Sequence, residues 1–77
     1  MDFEIIEELG VLSESSKGWQ KILAVVKWGD GKPKLDIRSW SPDREKCSKG
    51  ITLTFEEAEC LRDLLGDKLY DVESQIV

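Results

Sequence analysis

Seventy-seven residues, 40% apolar and 35% charged with a net charge of −5, are expected to form one small folded domain over residues 1–77. No histidine and only two cysteines exclude Ser–His and Cys–His catalysis, most zinc sites and a disulfide framework. No run approaches the roughly 20 apolar residues of a membrane-spanning helix. Asp2, Glu4, Glu7 and Glu8 interrupt any apolar N-terminal run, so no secretory leader is expected. Cys47 and Cys60, at no metal spacing, read as free thiols of a reducing cytoplasm.

In chain order, Phe3, Glu4 and Ile5 alternate as a strand would, with Gly10 as a bulge or bend, although Ile5, Ile6 and Leu9 also fit a helix. Ser13–Gly18 is a polar turn. Trp19–Trp28 is predicted as a long strand, apolar on both faces through Ile22, Leu23, Val25 and Val26. Gly29–Pro33 closes a hairpin, with Asp-Gly and Pro where turns favour them. Lys34–Ser41 alternates cleanly, Leu35 and Ile37 facing one way and Lys34, Asp36, Arg38 and Trp40 the other. Ser41–Ser48 is a charged loop, and Gly50–Thr54 a short strand.

Thr54 and Glu57 make a capping box, so a helix starts there. Its apolar stripe is Ala58, Leu61, Leu64 and Leu65. The helix either ends at Gly66 or runs on through Leu69, Val72 and Ile76, and that longer stripe reads as a seam with a second copy of the chain. The predicted fold is α+β: a four-stranded curved antiparallel sheet followed by a C-terminal helix (ββββα), dimerising through the helices.

Charge falls into blocks. Residues 1–14 hold five acids and no base, residues 15–50 nine bases against four acids, and residues 51–77 two bases against seven acids. All three tryptophans lie in the basic block. A cationic field carrying aromatic rings suits a polyanion whose units also present flat faces, as single-stranded nucleic acid does. Lys34, Arg38 and Trp40 share a strand face. Trp19, Lys21 and Lys27 share a parity on the preceding strand, and pairing across the hairpin is expected to set both groups on one surface. Trp28, of the opposite parity to Lys27, joins it only through a bulge near Gly29. Trp40, flanked at its own parity by charged residues, is the tryptophan most expected outside the core. Asp36 is expected to pair with its same-face neighbours Lys34 or Arg38. Glu56, Glu57 and Glu59 read as a solvated helical face. No nucleophile–base pair, phosphate loop or metal spacing is present, so no enzyme, cofactor or metal is expected.

Leu35-Asp-Ile-Arg-Ser-Trp40, followed by Lys49-Gly-Ile-Thr-Leu-Thr54 and an acidic helix start, resembles the positive cofactor four family of transcriptional coactivators that bind single-stranded DNA, and within it a bacterial YdbC-like branch. The likeness spans about residues 17–65. It implies homodimers of four curved strands and a helix, paired through the helices, with single strands crossing ridges of the paired sheets. The family's DNA-contacting arginine falls on Arg38, its lysine before Gly-Ile on Lys49, its base-stacking aromatic on Trp40 and its hairpin aromatic on Trp28, preceded by Lys27. The long Ser- and Lys-rich N-terminal tail of eukaryotic members is absent from the sequence, so coactivation through such a tail is not implied. The expected protein is a homodimeric, largely sequence-nonspecific single-stranded-DNA-binding protein of the cytoplasm or nucleoid, serving transcription, replication or repair. Arg38, Lys49, Lys21, Lys27 and Lys34 would take phosphates, and Trp40 and Trp28 would stack bases. Nothing in the residues selects DNA over RNA, because no feature reads a 2′-hydroxyl. The alternative is a protein-interaction module on the same scaffold, with no nucleic acid bound.

Overall fold

Four antiparallel strands, β1 (Phe3–Glu14), β2 (Gln20–Trp28), β3 (Lys34–Trp40) and β4 (Ile51–Leu53), pair in chain order, and one helix, α1 (Phe55–Ile76), follows. The structure is a computed structural model that describes residues 2–76, the last by its backbone alone. The expected ββββα fold is the observed one. Helix α1 passes through Gly66 without interruption, which decides between the two helix lengths the sequence allowed. Ile76's side-chain place in the seam lies outside the described residues.

The 12 residues of β1 pair with only 9 of β2, and the ladder steps at three register shifts, one of them at the expected Gly10. The skipped residues are Ile6, Leu9 and Leu12, all about half exposed. Each bulge bends its strand and tightens the local twist. The sheet therefore curls. Trp40 pairs with Gln20, and Trp28 lies eight residues further along β2. That is about 26 Å of flat strand, yet the two indole rings are parallel with centroids 6.2 Å apart.

The hairpin register decides the faces. Gln20, Ile22, Ala24 and Val26 oppose Trp40, Arg38, Asp36 and Lys34, and residues directly opposite share a face. Together with Trp28 they form the inner, concave face, whose buried core is Ile22, Ala24, Val26 and Trp40, with Phe3, Ile5, Trp28 and Cys47 packed against it. Two expectations fail here. Lys21 and Lys27 have the other parity and sit on the outer face, opposite in sense to Lys34, Arg38 and Trp40. Trp28 shares the Trp40 face directly and needs no bulge at Gly29.

The outer face is apolar as well, through Leu23, Val25, Leu35 and Ile37. Helix α1 approaches it only at β3 and β4. Its start is fixed by the capping box: Glu57 N–H donates to Thr54 Oγ1 at 3.0 Å, and Thr54 N–H donates to Glu57 Oε1 at 2.9 Å.

Candidate nucleic-acid interface

The concave face is built on aromatic rings and one buried ion pair. Phe3 lies tilted against Trp40 at 5.0 Å and against Trp28 at 5.8 Å. Trp40 is fully buried, so the indole expected outside is core. The sequence placed it among charged neighbours of one strand, but the curl brings the far end of β2 over it. It supports the site and presents no face to a base. Trp28 keeps part of its surface and carries the Arg38 guanidinium 4.4 Å from its ring centroid, a cation–π contact.

Asp36, with no exposed surface, accepts two hydrogen bonds from Arg38, from Nε at 2.6 Å and from Nη2 at 2.8 Å. Thr52 on β4 donates its hydroxyl to the same carboxylate at 2.9 Å. Burial pushes the Arg38 guanidinium down, and Asp36 together with, to a smaller extent, Cys47 more than offsets this, so the net shift is upward and the side chain stays charged. The expected Asp36–Arg38 pair is thus real, but it is interior and ties β3 to β4. Arg38 is a committed structural cation. Only Nη1, with a 3.5 Å contact to the Ser48 carbonyl, keeps donor capacity for a phosphate.

That division of labour extends through the chain. Arg38, Arg44 and Arg62 each sit within 4 Å of a carboxylate, whereas no lysine among the described residues does. Guanidinium suits fixed bidentate pairing, and ammonium is a hydrated point charge. Arg38 and Arg44 tie distant parts of the fold together, Arg62 pairs only with its exposed neighbour Asp63, and the lysines stay outside such close pairs. Lys21, Lys34 and Lys49 are exposed, as are Lys17, Lys32 and Lys46 around them, and Lys27 is half-buried.

The loop after β3 is tied down, which holds Lys46 and Lys49 in place. Arg44, in the left-handed region at φ 65°, donates to Glu8 at 2.8 Å and to Gln20 at 2.6 Å. The Arg44 contact holds the Glu8 carboxyl below its usual range. Asp43 is held low first by the Ser41 hydroxyl, at 2.6 Å, and then by the Glu45 N–H. Ser48 exchanges bonds with the Ser39 backbone and so positions Lys49 beside β3. At Gly50 an added Cβ would collide with Arg38 Cβ and the Ile37 carbonyl. Only glycine lets the chain pass so close to β3, which is the physical reason for a glycine between Lys49 and Ile51.

On the outer side, an open cavity of about 570 Å³ lies between sheet and helix, lined by Leu23, Leu35 and Ile37 from one side and Leu61, Leu65 and Leu69 from the other. Leu9 and Leu12 of the β1 bulges also reach it. No helix among the described residues is long and apolar enough to cross a membrane.

A curled four-stranded antiparallel sheet followed by one C-terminal helix defines a small α+β domain. The family model described as transcriptional coactivator p15 (PC4) matches residues 15–64, well over half of the chain, and the chain belongs to that family. A protein of Treponema pallidum (strain Nichols), described only as an uncharacterized protein, is 44% identical over 69 residues, spanning 90% of this chain and 81% of the relative. The family is a non-enzymatic one of DNA-binding coactivators whose members bind single-stranded DNA in general. The resemblance carried by Leu35–Trp40 and Lys49–Thr54 falls within the matched span.

Proposed function

We propose that this protein is a homodimeric, largely sequence-nonspecific single-stranded-DNA-binding protein that acts in transcription, replication or repair. The carrying observation is the set of lysines on the sheet side with no carboxylate within 4 Å among the described residues. The β2–β3 hairpin bears lysines on both faces, Lys34 inside and Lys21 and Lys27 outside. A single strand laid over this ridge meets cations on either side, with Lys49 and the remaining N–H of Arg38 Nη1 next along β3. Trp28 is the stacking indole, its ring orientation fixed by Arg38 and Trp40. The acidic helix turns away from the strand and keeps the assembly soluble.

What the lone chain leaves uncovered supports dimerisation. Its buried apolar core is Ile22, Ala24, Val26 and Trp40, which is little for a domain of this size. Leu65 and Leu69 are about half exposed on a helix that runs for 22 residues. A two-fold pairing sets the same stripe of each helix against the other copy and closes the apolar cavity.

Titration of tryptophan fluorescence with oligo-dT tests the binding. Quenching at low salt supports it. The slope of log affinity against log salt should be about −0.7 for each phosphate neutralised, and it should shrink in Lys27→Gln and Lys34→Gln. An unchanged spectrum, or binding indifferent to salt, would favour a protein-interaction module on this scaffold. Sedimentation of Leu65→Glu together with Leu69→Glu should give half the wild-type mass.

A further inference from the structure

We propose that Phe55, Pro33, Lys32 and Lys34 form a nucleotide subsite at the base of the β2–β3 hairpin, which takes one base and its phosphate from a bound single strand. This rests on the single-stranded-DNA reading above, and it adds a contact outside the Trp28 face.

A groove of about 260 Å³ opens here, lined by Lys32, Pro33, Lys34, Thr54, Phe55 and Glu56. Its shape follows from register. Leu35 pairs with Leu53, so two residues beyond them, where β4 gives way to α1, Pro33 and Phe55 come side by side. Phe55 is 52% exposed. It belongs neither to the residues packed on the concave core nor to those lining the cavity under the helix. An exposed ring beside a proline and the stems of two lysines gives a base one flat apolar wall, and stacking on such a wall tolerates any base.

The anion-binding element is the lysine pair, not the helix end. Of the first amides of α1, Glu57 N–H is engaged by the Thr54 hydroxyl and Ala58 N–H by the Thr54 carbonyl, and the acidic Glu56 and Glu57 of that turn repel an anion. Lys32 and Lys34 are both exposed and have no carboxylate within 4 Å among the described residues. Glu56 shares the groove and repels a phosphate, so the phosphate lies on the lysine side and the base on the Phe55–Pro33 side. Lys34 also belongs to the concave face with Arg38, which makes the groove continuous with the main track.

The test is photo-crosslinking of the wild-type protein to an oligo-dT carrying 5-iodouracil at successive positions, with the linked peptide mapped by mass spectrometry. A crosslink on Phe55 is expected. Phe55→Ala should lower oligo-dT affinity about 5- to 150-fold, the range one base–aromatic stack supplies, with sedimentation mass and thermal midpoint unchanged. Lys32→Gln should reduce the salt slope by about 0.7. If the wild type binds oligo-dT, but crosslinks avoid Phe55 and Phe55→Ala binds as tightly, the subsite is overturned and the wider reading survives. If the wild type does not bind oligo-dT at all, both fall.

Discussion

Trp40→Ala separates a core indole from a ligand platform. Trp40 has no exposed surface and meets Phe3 at 5.0 Å and Trp28 at 6.2 Å. A buried tryptophan removes about 150–250 Å² from water, which at about 25 cal/mol per Å² is about 4–6 kcal/mol. Trp→Ala replacements in cores cost about 3–5 kcal/mol. Trp40 Nε1 is buried with no acceptor, and deleting an unsatisfied donor returns about 1–3 kcal/mol. Taking the middle of each range, the net loss is about 2 kcal/mol, against a total stability of roughly 4–12 kcal/mol for a chain of this length. With a urea slope near 1 kcal/mol/M, the far-UV dichroism midpoint should fall by about 2 M. Protein concentration must be held fixed, since the proposed dimer would add to apparent stability by mass action. Trp40→Phe keeps a ring in the stack and removes the orphan N–H, so it should stay within about 1.5 kcal/mol of wild type. If Trp40→Ala unfolded at the wild-type midpoint while its oligo-dT affinity collapsed, the indole would be an exposed base platform and this account of the concave face would be wrong.

Asp36→Ala leaves the Arg38 charge against Trp28 without its counterion and should cost about 3 kcal/mol in urea unfolding, the low end for a broken buried pair because Arg38 keeps some exposure. Recovery of most of that loss in Asp36→Leu with Arg38→Met is expected, and no loss in the single variant would show that the pair is not interior. Gly50→Ala should destabilise the domain and displace Lys49, because the added methyl meets β3 backbone that cannot yield; a wild-type melting curve would contradict the close approach. On the acid side, Glu8 and Asp43 are both held below their ordinary values. A depressed carboxylate contributes stability that is complete above its unfolded value and is lost as pH falls through the folded one. Thermal stability should therefore decline as pH drops below the ordinary Glu value of 4.5. In Arg44→Ala the Glu8 share should vanish while the Asp43 share remains, and an identical pH profile in that variant would remove Arg44 as the cause.

The N-terminal strand shows where sequence periodicity misleads. Ile6, Leu9 and Leu12 recur every three residues and look helical beside Ile5. They are the three residues that the β1–β2 ladder skips. A bulge adds one residue and resets the alternation, so three bulges in twelve residues erase the two-residue period and imitate a helical one. They also turn Leu9 and Leu12 toward the outer cavity.

Local chemistry alone determined the order of elements, the hairpin at Gly29–Pro33, the capping box at Thr54 and Glu57, and the concentration of cations between residues 15 and 50, because each is set by neighbours within a few positions. Sequence also carried the family likeness in Leu35–Thr54. Tertiary structure alone decided which face each side chain occupies and what it meets there. Strand pairing between Gln20 and Trp40 fixed the parity that moves Lys21 and Lys27 to the outer face. Curling of the sheet buried Trp40 beneath Phe3 and Trp28 and drew Asp36 and Arg38 inside. Both depend on contacts between residues far apart in the chain, which no window of neighbouring residues records.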